Sequence, residues 1–220
     1  GIFPCQCQIG LQNWMRFYNL TMQKFCKTKG KLLRQLQNLL CGRKVRYVMQ
    51  YISYYDSPLG KMLLAADEIG LTGVWFDAQK YFARCLDEAY EEKEIPLFAD
   101  VKKWFDVYFS GKEPDILIPL HLIGTKFQME VWEILCTIPY GKTKTYGEIA
   151  RQIAFKRGIR TMSAQAVGGA VGHNPVSVIV PCHRVIGTNG SLTGYAGGID
   201  KKIKLLEIEK AKGWHKDGNS

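Results

Sequence analysis

The sequence predicts an α+β protein of two successive units, a small α/β domain followed by a mainly helical domain built around a helix-turn-helix. Three observations predict it. Short strand-like runs separated by turn residues begin abruptly at Met49. Helical periodicity and a helix-turn-helix pattern fill the stretch after residue 120. The charge also divides along the chain: residues 49–120 hold seven basic and thirteen acidic side chains, and residues 121–220 hold fourteen basic and seven acidic ones. That asymmetry concerns partners rather than fold, and it equips the second half to meet a polyanion.

Residues 1–48 carry nine Lys or Arg, no Asp or Glu, and four of the seven cysteines. An amphipathic helix can be drawn from Lys31 to Leu40. A transit peptide is acid-poor, as this segment is, but Ser-rich, as it is not. Cys5, Cys7, Cys26 and Cys41 match no standard zinc spacing, so no metal is expected. The segment is read as a basic extension outside a fold that starts at Met49.

In the 49–120 domain, Tyr51 to Tyr55, Lys61 to Ala66 and Leu71 to Phe76 read as strands, with Ser57 to Gly60 and Ile69-Gly70 as turns between them. The meander is antiparallel. Residues 79–92 are charged and helix-compatible. Leu97, Val101, Trp104, Phe105 and Tyr108 have helical spacing, and Ser110 to Pro114 ends that helix and opens a connecting strand through Leu117. No cluster in this domain looks catalytic.

In the 121–212 domain, Phe127, Val131, Ile134 and Leu135 predict an amphipathic helix closed at Pro139 to Gly141. Thr145 and Glu148 form a capping box ahead of a helix burying Ile149, Ala150 and Ile153. After a basic loop, Ser163 caps a second helix, Ala164 to Val171, composed almost wholly of Ala, Gly and Val. Two short helices joined by a turn are the helix-turn-helix arrangement. So many glycines weaken a helix intrinsically. Either it is thin in order to approach a narrow groove, or it is packed tightly against neighbours. Residues 213–220 form a tail.

Residues 176–180 are a mostly apolar, strand-like run that delivers Cys182 at a bend fixed by Pro181. A lone cysteine is more often a small buried hydrophobe than a nucleophile. Here His183 and Arg184 follow it directly in a basic part of the fold, and nearby positive charge enlarges the thiolate fraction. Neighbours in an extended chain point to opposite sides, so His183 needs a bridging water or a tight turn to take the thiol proton. Glu209 or Glu207, on a helix over Lys201–Lys212, can orient the histidine.

Pro181, Cys182, His183, Arg184 and Val185, with Ala166 to Ala170 and Asn174-Pro175 upstream and Tyr195 to Gly198 downstream, resemble the O6-alkylguanine-DNA alkyltransferases of bacterial type. The resemblance covers about residues 49–212. It implies a ribonuclease-H-like α/β domain and a winged helix-turn-helix domain. It also implies minor-groove binding to double-stranded DNA, flipping of O6-alkylguanine (or O4-alkylthymine), and irreversible alkyl transfer to the protein's own cysteine without a cofactor. Residue by residue, Cys182 matches the acceptor, His183 the water-relayed base, Glu209 the acid that holds it, and Asn174 the tie between active-site turn and helix-turn-helix. Tyr146 matches the base-pocket tyrosine, Val185 offers a carbonyl to the guanine amine, and Tyr195, Ala196 and Gly197 match the lid. Arg184 is grouped with the DNA-contacting residues. The family's arginine finger falls at Gln165, which brings no charge.

The chemistry is consistent with that resemblance, because a base inside a duplex must be extruded before a side chain reaches it. A sensor of alkylated bases shares the helix-turn-helix but lacks an acceptor cysteine, and a thiol hydrolase leaves the DNA-binding unit unexplained. With 46% hydrophobic and 23% charged residues the composition is globular. No stretch approaches the roughly 20 apolar residues of a membrane span. An odd cysteine count in a chain this long fits a reducing compartment, so a cytoplasmic location is expected. The protein is expected to act as a monomer.

Overall fold

A computed structural model describes residues 49–215. The expectations placed on residues 1–48, an extension and a helix from Lys31 to Leu40, lie outside the described residues.

Strands β1 (Gln50–Ser57), β2 (Gly60–Ala66) and β3 (Leu71–Phe76) form the expected antiparallel meander. A short β4 (Tyr90–Glu92) adds parallel to β1, giving the order β3-β2-β1-β4. Period-2 alternation divides β2 between two cores. Met62, Leu64 and Ala66 join the large core, while Leu63 and Ala65 pack with Ile52 and Trp75 in a small one. Helix α1 (Pro96–Phe109) begins on a proline and buries Phe98, Val101, Phe105 and Tyr108.

The chain then continues into helix α2 (Lys126–Cys136), strand β5 (Lys144–Thr145), helix α3 (Tyr146–Arg157), helix α4 (Ala164–Gly172), strand β6 (Val185–Ile186) and helix α5 (Ile199–Ile208). Capping boxes open α2 at Thr125 with Gln128 and α3 at Thr145 with Glu148. Gly158, at φ +65°, ends α3 in the left-handed conformation that glycine adopts without penalty. One continuous core runs from the β2 and β3 side chains through α1 to Trp132, Ile149, Val167 and Leu205.

Three local expectations fail, each for a physical reason. Residues 79–92 are turns and β4 rather than a helix. Ala78, Tyr81 and Ala83 take positive φ (60°, 63° and 52°), which no helix tolerates, and the Gln79 carboxamide accepts the Phe76 N–H at 2.9 Å to fix the first turn. Gln50 holds the far end, donating to Cys85 O and accepting from Asp87 N. The segment through Leu117 forms no strand, although Leu120 bridges Leu71. Residues 176–180 form a turn in which only Val176 pairs, with Val74.

The outer edge of β3 is therefore used twice. Leu71 exchanges backbone hydrogen bonds with Pro119 and His121, and Val74 with Pro175 and Ser177. An edge strand left open is a liability; here its pairing fastens the turn that precedes Cys182 to the sheet. The cap at Thr145 is the simplest test of the local rules. Thr145→Ala is expected to cost about 1 kcal/mol and to lower the melting temperature by about 2–4 °C in a thermal melt.

Candidate active site

Helices α3 and α4 form the helix-turn-helix. They bury Ile149, Ala150, Ile153 and Ala154 on one side and Val167, Ala170 and Val171 on the other. Ser163 caps α4 by accepting from Ala166 N at 3.3 Å, and the Trp132 indole N–H donates to Ala170 O at 2.9 Å. The glycines resolve the alternative left open by the sequence. A Cβ added at Gly169 or Gly172 meets nothing within 4 Å, and at Gly168 it meets only the Tyr146 ring at ordinary distance. Those glycines are not there to admit a neighbouring helix. They thin the open face of α4, which lines a cleft of about 590 Å³.

Cys182, Tyr146, Gln165, Tyr195 and Ala196 line the same cleft, with Lys80, Tyr81 and His173 at another part of its wall. Cys182 is 5% exposed and opens a one-turn 3₁₀ helix, Cys182–Arg184. The turn before it contains Val178 at φ +71°, an outlier for a β-branched residue. Asn174 holds that turn: its amide donates to Val176 O, Val180 O and Cys182 Sγ (3.1, 2.8 and 3.1 Å), and its oxygen accepts from Val176 N. The Tyr146 hydroxyl donates to Thr193 O at 2.9 Å, tying α3 to the segment before Tyr195.

Behind the cysteine lies a buried polar cluster. His183 Nε2 is 2.6 Å from Glu209 Oε1, and both side chains are fully buried. Glu209, the C-cap of α5, also accepts from Arg184, from Gly141 N at 3.1 Å and from the Tyr108 hydroxyl at 2.7 Å. His183 Nδ1 is buried and makes no hydrogen bond to another protein group. Burial opposes ionisation of Glu209, but His183 and Arg184 outweigh it and hold the carboxyl down to about 2. Burial pushes the His183 imidazole below its ordinary value, against the pull of Glu209. The ring is therefore neutral at neutral pH, with its hydrogen on the nitrogen facing a carboxylate that can only accept.

The structure corrects two readings. Arg184 is not at a DNA-contacting surface: it is 9% exposed and its guanidinium is committed to Glu209 and, at 2.5 Å, to Ile138 O. Nor is Cys182 a thiol already acidified by basic surroundings. Burial raises it, and the Asn174 amide and the Lys202 charge oppose that only in part. Val185 is buried, and its carbonyl accepts from Lys202 Nζ at 2.6 Å. Gly197 adjoins the lid residues without lining the cleft.

Models of the 6-O-methylguanine DNA methyltransferase ribonuclease-like domain and DNA binding domain match residues 50–122 and 126–211. A Haemophilus influenzae protein named methylated-DNA–protein-cysteine methyltransferase is 40% identical over 161 residues, covering 73% of this chain and 86% of that one. The chain belongs to the 6-O-methylguanine DNA methyltransferase family. A Methanosarcina acetivorans protein of the same name is 44% identical over 72% of this chain and 97% of its own. The crystal structure of the Mycobacterium tuberculosis O6-methylguanine methyltransferase superposes with a TM-score of 0.62 at 42% identity, covering 74% of this chain and 93% of that one. That family's two-part architecture, ribonuclease-like and then helix-turn-helix, is the one described above.

Sequence reasoning missed two polar residues of this methyltransferase site. Lys202 is fully buried on α5 and brought down to about 8 by burial, against a raising effect of Cys182. Its signal was present: Lys202 shares one helical face with Leu205, Leu206 and Glu209, where a solvated lysine has no place. Tyr108 lay hidden in the apolar stripe of α1. Among the described residues, no group of His, Cys, Asp or Glu is arranged to hold a metal, and no helix is long and apolar enough to cross a membrane.

Glu209 sets an acid dependence with a definite sign. Its folded value, about 2, lies below the ordinary 4.5, so it stabilises the fold above pH 4.5 and that contribution is lost as pH falls toward 2. Glu209→Gln is expected to cost about 3 kcal/mol at pH 7 in denaturant unfolding, leaving Arg184 buried without its partner. The gap between variant and parent should close as pH falls through that window.

Proposed function

We propose that the protein binds double-stranded DNA through the open face of α4 and draws an O6-alkylguanine out of the duplex. It then moves the alkyl group to Cys182, acting once, as a monomer and without a cofactor. The observation that carries this reading is the position of Cys182. It lies in the wall of a cleft bordered by the thinned helix of the helix-turn-helix, with the His183–Glu209 pair directly behind it.

The chemistry follows from the charges. A raised thiol is mostly protonated at rest, so its proton must leave as the reaction begins. His183 Nδ1 is the lone pair able to take it, through one water, because Nε2–H is held by Glu209. The developing thiolate is stabilised by the Asn174 amide and the Lys202 charge. Sulfur attacks the alkyl carbon, the C–S bond forms as the C–O6 bond breaks, and guanine leaves with the proton that the thiol gave up. The thioether is a poor leaving group, so the cysteine is not regenerated.

Binding rests on general features of DNA. Minor-groove readout is degenerate, which suits a protein acting at any sequence. A poorly paired lesion also lowers the extrusion cost of a few kcal/mol. Gln165 is exposed on α4 at the cleft; on this reading its side chain is the one that wedges into the space left by the flipped base. The protein described for Mycobacterium tuberculosis has been crystallised in complex with DNA, and its structure superposes on this one with a TM-score of 0.62.

Intact-mass measurement after incubation with duplex carrying O6-methylguanine tests the reaction. The expected result is one added CH2 per molecule, located on Cys182 by peptide mapping. Cys182→Ser should give no adduct while DNA affinity stays within about twofold, because a hydroxyl ionises far above a thiol. Turnover without adduct, or binding without adduct in the parent protein, overturns the proposal. Gln165→Arg should tighten DNA binding and steepen the log Kd against log salt plot by about one unit, since one more cation meets the phosphate field. An unchanged slope removes Gln165 from the groove.

A further inference from the structure

The α/β half of the molecule contains no residue that its sequence marks as catalytic, yet α1 sends one polar atom into the site. Tyr108 is fully buried, and its hydroxyl is 2.7 Å from Glu209 Oε1 and 3.3 Å from His183 Nε2. That same Oε1 is 2.6 Å from His183 Nε2. We propose that Tyr108 is a positioning residue for alkyl transfer, holding Glu209 as a tempered carboxylate so that His183 rests neutral and free to take the Cys182 proton. The inference rests on the reading of His183 as the base.

Packing alone does not call for the hydroxyl. The Tyr108 ring stacks on Trp104 and meets Phe109 edge-on, and the other buried aromatics of α1, Phe98 and Phe105, do without one. A buried hydroxyl is unfavourable unless it is bonded, so its presence points to the partner it has. A phenol has one hydrogen to give. The shorter contact, to a charged acceptor, is the stronger one, and it assigns that hydrogen to Glu209 rather than to His183. His183 Nε2 then faces an acceptor and keeps its own hydrogen, which leaves the buried Nδ1 unprotonated.

The consequence concerns charge. A carboxylate with few donors beside an imidazole favours the imidazolium, and an imidazolium cannot accept a proton. Every donor placed on Oε1 spreads that carboxylate's charge and weakens its pull on the ring. Tyr108 supplies such a donor from α1, Arg184 from the 3₁₀ turn, and Gly141 binds the other oxygen from the turn after α2. Burial, Arg184 and Lys202 also lower the imidazole. The remaining titratable groups facing this cluster are Cys182, Tyr140 and Tyr195, all raised by burial, and Lys202, held near 8. None of them titrates in the acidic range, so the acidic limb of the rate profile reports His183.

The test is single-turnover alkylation of the full chain by duplex carrying O6-methylguanine, from about pH 4 to about pH 9, with melting temperatures read in parallel. In Tyr108→Phe the acidic limb should move up by about one pH unit, while the rate above it stays within about threefold. The 15N titration of the His183 ring should move with it. On a Glu209→Gln background, Tyr108→Phe should leave the residual profile in place, since no carboxylate remains to be tempered. Should Tyr108→Phe fail to fold, 3-fluorotyrosine at position 108 keeps the shape and strengthens the donor, and the limb should then move down. An unmoved limb, or a uniform fall at every pH, overturns the inference and leaves Tyr108 a packing residue. Wild-type rates in His183→Gln would instead overturn the reading of His183 as the base.

Discussion

The buried carboxylate of Glu209 is the group on which the arrangement of the site depends. Five N–H or O–H donors converge on it, from α1, from the turn after α2 and from two residues of the 3₁₀ turn, while its own backbone ends α5. An ionised carboxylate in a core is tolerable only if its acceptor sites are filled. The need to fill them draws four segments, distant in sequence, to one point. The 3₁₀ turn is placed by the same bonds, because Arg184 and His183 cannot both reach Glu209 from an extended chain. Cys182 takes its position as the first residue of that turn.

A second constraint acts from the other side of the cysteine. The segment from Asn174 to Val180 contains a left-handed valine, a conformation that persists only when its surroundings over-determine it. Two sets of bonds do so. Asn174 closes the turn from within, and Val74 of β3 pairs with its start from outside. The sheet is thus part of the apparatus that presents the cysteine, although none of its strands carries a reacting group. Together with Tyr108 this gives the α/β half two separate mechanical reasons to accompany the helix-turn-helix.

Much of the architecture was legible in the sequence, and the limits of legibility have a physical pattern. The three meander strands, the helix carrying Leu97 to Tyr108, the capping box at Thr145 and the Ser163 cap were readable because each depends on local periodicity or a local side-chain bond. The Cys182–His183–Glu209 alignment was readable through family resemblance, and Glu209 rather than Glu207 meets the histidine. What failed was decided by distant partners. The 79–92 segment had helix-compatible charges but no apolar stripe to dock, and Gln50 and Gln79 bonded it into turns. Residues 176–180 had strand composition, but only one of them finds a strand to pair with. Arg184 was grouped with the DNA-contacting residues because charge in a sequence carries no sign of which way it points. Lys202 and Tyr108 were missed for the converse reason, since each occupies a position whose spacing speaks of core.

The raised thiol changes how the reactivity of this site is to be understood. A cysteine acidified at rest reacts with any small electrophile that reaches it, and a residue that is used once has no second chance. Here burial keeps Cys182 mainly as the thiol, while the Asn174 amide and the Lys202 ammonium stand where a thiolate's charge would develop. Those groups are fixed in the fold by other bonds, Lys202 by the Val185 and Thr193 carbonyls and Asn174 by Val176 and Val180, so they need not reorganise when the charge appears. A neutral imidazole with its free nitrogen unpartnered completes the arrangement. Thiolate then forms where a base, a prearranged charge and a bound alkyl carbon coincide. On the proposed chemistry, selectivity for the lesion and protection of the cysteine come from the same burial.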